Sequence, residues 1–383
     1  MAGLYIHVPF CKSRCIYCGF YSTTLEELRQ RYVDAVCREM ESRSSLPPTP
    51  SEERGHLETI YLGGGTPSQL TVAQLEQLFI YINKVYGLPL AKVGGRKRLE
   101  ITMECNPDDV TPEFAAALRQ LPVNRVSMGA QTFDDDRLRF LHRRHSARQV
   151  AEAVERLRQV GIKNISIDLM YGFPGETIDD WHRDIEQALA LNVEHLSAYA
   201  LMFEEGTPLY RMLQQGQVKE PDEELSLQMY ADLIDRVTDA GYEHYEISNF
   251  ARTGYRSRHN SSYWNQTPYI GLGAAAHSYD GRRRYWNVDH VQRYIEGMEN
   301  GQPCRDYEEL DTDTRYNDMV LTSLRTCEGL SLALLPTDLQ TYCLQQAERF
   351  LADGLLRLAD NRLVLTRRGL FVSNMVMSQL MKC

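Results

Sequence analysis

Within about the first two hundred residues six short apolar runs alternate with longer amphipathic ones, and this alternation restricts the possible folds more than any other feature. The apolar runs are LYIHV, ETIYL, LEITMEC, VNRVSMGAQ, NISIDLMYG and HLSAYAL, each of strand length. Between them lie LEELRQRYVDAVCREMESR, TVAQLEQLFIYINKVY, a stretch beginning near Thr111 and Pro112, SARQVAEAVERLRQVG and TIDDWHRDIEQALAL, which carry apolar residues at helical spacing. Thr71 is placed to cap the second helix and Gly161 to end a later one. Strands joined through helices pair in parallel, so the expected class is α/β. Periodicity alone leaves an open doubly wound sheet and a barrel, complete or partial, equally allowed.

The proline-rich segment SSLPPTPSEERGH (44–56) reads as a surface loop. After the sixth strand, FEEGTPLYRMLQQGQVKEPDEE connects to the helix LSLQMYADLIDRVTDAG, and from about Val288 the pattern becomes mainly helical. The chain closes with a helix, a hairpin turning at Asp360 and Asn361, and a last helix, the order found in a winged helix. Three regions are expected: a barrel-like region over 1–225, a linking region over 226–287 and a helical C-terminal domain over 288–383. Winged helices bind DNA or serve as docking modules. A formal net charge of −10 weighs against nucleic acid, and the basic stretches LHRRH (141–145) and GRRRY (281–285) read as solvated charge. No apolar run is long enough for a membrane span and no signal peptide is apparent, so a cytoplasmic protein is expected, with at most a transient association with membranes.

Nine cysteines include three at positions 11, 15 and 18, a spacing too tight for a disulfide framework and suited to a metal site in a reducing compartment. A structural zinc site takes four ligands, commonly as two separated pairs, yet there is no second CxxC, and the nearest histidine, His7, lies in the preceding strand. Three thiolates on an iron–sulfur cluster instead leave one iron open to a small chelating ligand. Cys37, Cys105, Cys304, Cys327 and Cys343 read as scattered small apolar residues, and Cys383 is terminal.

In α/β folds of this kind, functional groups gather beyond the C-terminal ends of the strands. Strand 1 is followed here by the cysteines, strand 2 by GGGTP (63–67), strand 3 ends at Glu104, strand 4 ends at Gln131, and strand 5 carries Asp168. The glycines let backbone N–H groups approach an anionic ligand, although a tight turn explains them equally well. Glu104 and Asp168 can accept hydrogen bonds from ribose hydroxyls or an ammonium group, and Arg143 can pair with a carboxylate. Taken singly, each of these residues is more often structural.

The stretches YIHVPFCKSRCIYC, GGGTP, RVSMGAQTF, LHRRHS and IDLMYGFPGET resemble the radical S-adenosylmethionine (SAM) superfamily, in particular the branch containing oxygen-independent coproporphyrinogen III oxidase and the HemW haem chaperones. The resemblance implies a three-quarter (β/α)6 barrel of TIM type with a mainly helical, winged-helix-like C-terminal domain. It implies a [4Fe-4S] cluster on Cys11, Cys15 and Cys18, with the open iron chelating SAM. Tyr5 would lie against SAM, Tyr17 against its adenine, and Gly64, Gly65 and Thr66 against its methionine end. Glu104, Gln131, Arg143 and Asp168 would surround the rest.

Within that branch the oxidase extends its motif to CxxxCxxCxC and carries an N-terminal extension; here Phe20 takes the fourth position and three residues precede Leu4. RHNSSYWNQTPYIGLGAAAHSY (258–279) instead contains HNxxYW as His259, Asn260, Tyr263 and Trp264, similar to a HemW signature. The implied function is a haem carrier that delivers haem to acceptor proteins such as respiratory enzymes, with flavodoxin or ferredoxin as electron donor. His259 is then one candidate haem ligand and His277 another. Chemistry alone reads the motif as a loop packed by Tyr263 and Trp264, with His259 merely hydrogen-bonded. Oxidation of coproporphyrinogen III is the alternative function, and three roles for SAM stay open: productive cleavage, slow side cleavage, or organisation of the site.

Overall fold

The computed structural model describes residues 2–43, 57–88 and 99–382, and the loop expected over 44–56 lies outside the described residues. The six expected strands are β1 (Ala2–Val8), β2 (Leu57–Gly64), β3 (Glu100–Cys105), β4 (Arg125–Gln131), β5 (Asn164–Tyr171) and β6 (His195–Ala200). They pair side by side, all parallel, in sequence order. Helices Arg29–Ser42, Val72–Tyr86, Pro112–Leu118, Ala147–Gln159 and Ile178–Ala190 lie between them in the chain. The start of the first expected helix is a separate 3-10 turn, Glu26–Leu28. Thr71 and Gln74 form a capping box at the helix they precede, and Gly161 follows the helix ending at Gln159 with φ of 91°.

Alternation along these strands sorts their side chains into two sets. Ile6, Leu62, Met103, Met128 and Ile167 belong to the main apolar core. The intervening positions are polar, among them Tyr5, Thr59, Tyr61, Glu104, Ser127 and Asp168. The parallel run curves into a partial barrel, because Tyr5 of β1 and Tyr199 of β6 line one cavity. That interior is polar and hydrogen-bonded, unlike the stacked branched apolar layers of a complete barrel.

The stretch 226–287, expected as a linking region, supplies strands to both edges of this sheet. On one side β6 pairs antiparallel with β8 (Asn249–Ala251), which pairs with β7 (Glu243–Glu246). On the other, β1 pairs parallel with β9 (Tyr269–Leu272), followed by antiparallel β10 (His277–Tyr279), β11 (Arg283–Asn287) and β12 (Arg305–Glu309). The main core runs as far as Met298, and a second core begins at Tyr316. That second core packs helices Thr312–Ser323, Thr337–Ala352 and Ser373–Leu380 with a small sheet of β13 (Leu330–Ser331), β14 (Leu356–Ala359) and β15 (Arg362–Leu365). Asp360 and Asn361, with φ of 50° and 59°, make the hairpin turn at the expected place. Backbone hydrogen bonds from Ile247 to Arg325 (3.0 Å) and from Cys327 to Tyr245 (3.1 Å) dock this unit on the barrel edge. No described helix is long and apolar enough to cross a membrane.

Candidate functional site

A cavity of about 680 Å³ opens at the C-terminal ends of the parallel strands. Its walls bring together Cys11, Cys15 and Cys18 with all nine residues expected around SAM: Tyr5, Tyr17, Gly64, Gly65, Thr66, Glu104, Gln131, Arg143 and Asp168. Phe20, 72% exposed, stands at the same wall.

The cysteine loop is held by its neighbours on either side. Cys11 lies 3.6 Å from the Thr66 hydroxyl, and Arg143 Nη1 lies 3.7 Å from the Cys15 sulfur. Arg143 Nη2 also donates to Asn106 Oδ1 at 2.8 Å and to the Gly129 carbonyl at 2.6 Å, so its guanidinium spans three segments. Gly65 approaches the loop so closely that a Cβ there would sit 2.7 Å from the Pro9 carbonyl carbon. Gly64 adopts φ of 110°, a region open chiefly to glycine, with the His7 ring directly behind it. Close packing therefore accounts for these glycines.

The three thiols are free, and burial raises those of Cys11 and Cys18, with neighbouring Cys15 adding to the shift. Among the described residues no three His, Cys, Asp or Glu side chains stand close enough to hold one metal ion. Thiols spaced along one cavity wall, with no fourth ligand converging on them, suit separate irons of a cluster better than a closed tetrahedral zinc site.

Deeper in the barrel, Glu104 accepts from the Tyr61 hydroxyl at 2.7 Å and from Gly64 N–H at 3.0 Å. Burial pushes its carboxyl up to about 7, and Asp168 adds to the shift. Burial also raises Asp168, which is hydrogen-bonded to Ser197 and approached by Ser127 Oγ at 3.5 Å. Gln131 sits at φ of 69°, where the β4–β5 register shifts, so a local irregularity aims its side chain into the cavity.

The five residues expected to meet haem do not share one site. His259, Asn260 and Tyr263 line the cavity, but Trp264 and His277 are not among its lining residues. His259 is fully buried, with Nδ1 at 2.8 Å from Thr59 Oγ1 and Nε2 at 2.8 Å from the Tyr263 hydroxyl. Neither ring nitrogen is open to iron as folded. Trp264 lies under the Arg325 guanidinium at 5.0 Å, facing the C-terminal unit. His277 is exposed on β10 with its ring stacked 6.2 Å from Trp286.

Sequence reasoning missed Asn106, which links Arg143 to Thr66, and the pairing of Arg144 with Asp108 and Asp109 at 2.9 Å each. The run NPDD directly after strand 3 was the available signal. It also missed Arg125, buried in the barrel with Nε and Nη1 lacking hydrogen-bond partners among the described residues.

A partial parallel barrel with a three-cysteine loop after its first strand and a glycine turn after its second defines a radical SAM protein. Residues 5–188 match the family described as "Radical SAM superfamily" and residues 310–372 the "HemN C-terminal domain". The family implies a [4Fe-4S] cluster and SAM. The fold superposes on coproporphyrinogen III oxidase (HemN) from Escherichia coli, a radical SAM enzyme, with a TM-score of 0.82 over 100% of this chain and 90% of that one, at 22% identity. The chain is 38% identical to "Heme chaperone HemW" of Bacillus subtilis over 86% of its own length and 85% of the relative's. It is 36% identical to the protein of the same name in Mycobacterium tuberculosis over 99% and 94%. It belongs to the HemW family.

Proposed function

We propose that this protein binds haem in the cytoplasm and delivers it to acceptor haemoproteins such as respiratory enzymes, with Cys11, Cys15 and Cys18 holding a [4Fe-4S] cluster and the adjoining cavity holding SAM. The observation that carries the reading is the convergence of three free thiols and nine ligand-type residues on one cavity. When bound, the cluster supplies an open iron for chelation and an electron from a donor such as flavodoxin or ferredoxin. Around it, Arg143 holds the Cys15 sulfur, Thr66 braces Cys11, and Glu104 and Asp168 present hydrogen-bond acceptors.

Of the two histidines considered for haem, His277 is the better ligand because its ring is reachable. Desolvation by the protein on one side of the ring and the nearby Arg284 charge lower its pKa, favouring the neutral imidazole that binds iron. Trp286 offers an aromatic face beside it. The test is a haem titration of the anaerobically reconstituted protein beside an assay for SAM-dependent decarboxylation of coproporphyrinogen III. The proposal expects stoichiometric haem binding, a Soret band altered by His277→Ala, and no decarboxylation. Decarboxylation without haem binding would establish the oxidase instead.

A further inference from the structure

Although HNxxYW is similar to a HemW signature from which haem ligation is expected, its histidine is enclosed in part by groups that line the cavity beside the cysteine loop. The His259 ring stacks on Tyr61 with centroids 5.0 Å apart and planes inclined by 26°. Tyr61 then donates to Glu104 Oε1 at 2.7 Å, and Glu104 Oε2 accepts from Gly64 at the cavity wall. The ring cannot drift, because Thr59 and Tyr263 hold its two nitrogens. The backbone at this point is fixed as well, since the Glu100 carboxylate accepts from the N–H groups of Arg258 (3.1 Å) and His259 (3.0 Å).

Two glycines are shaped to this arrangement. A Cβ on Gly3 would lie 3.1 Å from Thr59 Oγ1 and 3.2 Å from His259 Cε1. A Cβ on Gly63 would lie 2.7 Å from the Tyr61 ring and 3.0 Å from Glu104 Oε1. Neither glycine has a positive φ, so the space they leave, not backbone freedom, is what the site requires of them. Three strands and the helix Arg258–Trp264 thus give up side-chain volume or form hydrogen bonds that keep one file of groups in place: Thr59, His259, Tyr61, Glu104.

We infer that His259 is a positioning residue for SAM: it fixes Tyr61, which aims the Glu104 carboxylate into the cavity. The inference rests on the cavity being the SAM site. Asn260 and Tyr263 line the same cavity, so three of the four defining residues of HNxxYW serve it, and Trp264 faces the C-terminal unit.

The test is SAM affinity by equilibrium dialysis on the full-length, cluster-reconstituted protein, with haem titrations in parallel. His259→Ala and Tyr61→Phe should each weaken SAM binding by about tenfold, the scale of losing one hydrogen bond to a charged group. The double variant should lose less than the product of the two, because both act through Glu104. His259→Gln, whose amide can still bridge Thr59 and Tyr263, should recover part of the loss, and the Soret band of His259→Ala should match wild type. Wild-type SAM affinity in both single variants would overturn the inference while leaving the cavity assignment intact. A wild-type protein that binds no SAM would overturn both. If His259→Ala does not fold, Tyr61→Phe decides: unchanged affinity contradicts the inference, and a tenfold loss supports it.

Discussion

The guanidinium of Arg143 stands 3.7 Å from the sulfur of Cys15, although 128 positions separate them in the chain. Its other nitrogen donates to Asn106 and to the carbonyl of Gly129, so one side chain ties the cysteine loop to the ends of β3 and β4. Arg143→Met removes all three bonds and leaves the Gly129 carbonyl without its donor, a loss of about 1–3 kcal/mol. Thermal unfolding of the metal-free protein should show this loss. Arg143→Lys keeps the charge but not the fork, and should recover only part of it.

Gly65 is required by close approach to the cysteine loop, with a Cβ landing 2.7 Å from the Pro9 backbone. Gly65→Ala must push the cysteine loop outward, at a cost of about 1–3 kcal/mol. Iron and sulfide per chain after reconstitution should fall well below wild type. Gly87→Ala provides the comparison: its φ of 62° carries backbone strain, yet no described residue lies within 4 Å of the new Cβ and the cysteine loop is not near it, so iron content should hold.

Burial raises the Glu104 carboxyl from an ordinary 4.5 to about 7. The folded chain therefore holds a proton that the unfolded chain releases, and stability declines as pH rises from about 4.5 through about 7. The decline amounts to on the order of 3 kcal/mol for this group. Glu104→Gln lacks the titration, so its stability relative to wild type should improve between pH 5 and pH 8 in paired denaturant melts. A difference independent of pH would contradict the assignment.

Arg325 joins the C-terminal unit to the barrel by pairing with the fully buried Glu246 carboxylate at 2.8 Å and covering the Trp264 ring. Among the described residues, Arg325→Met leaves that carboxylate with the Ser248 N–H and the Asn249 amide as donors. Because Arg325 is itself partly exposed, the expected loss is about 1–3 kcal/mol rather than that of a wholly buried pair. Limited proteolysis should then cut faster near residues 325–329, while the barrel fragment stays intact.

The parallel strands could be read from the chain because each keeps an apolar run beside an amphipathic helix, and the cluster loop because CxxxCxxC is local. The outer strands could not. β12 is RDYEE, exposed at every residue, and β8 is three residues long, so neither carries a periodic signal. The surroundings of His259 were equally hidden: Thr59 lies 200 positions away, and only the tertiary fold brings them together. A buried Arg125 whose Nε and Nη1 have no hydrogen-bond partner among the described residues runs against the expectation that arginine stays at the surface, and nothing adjacent in the chain announces it.

A haem carrier hands haem on rather than making it, so the most direct test of the proposed function is transfer. Haem-loaded, cluster-reconstituted protein is mixed with an apo-haemoprotein, the two are separated, and the Soret absorbance of each is read. Haem should move to the acceptor from the wild-type protein, and His277→Ala should carry less. Haem that stays on the wild-type protein, or never binds it while coproporphyrinogen III is consumed, would contradict a haem-delivery function.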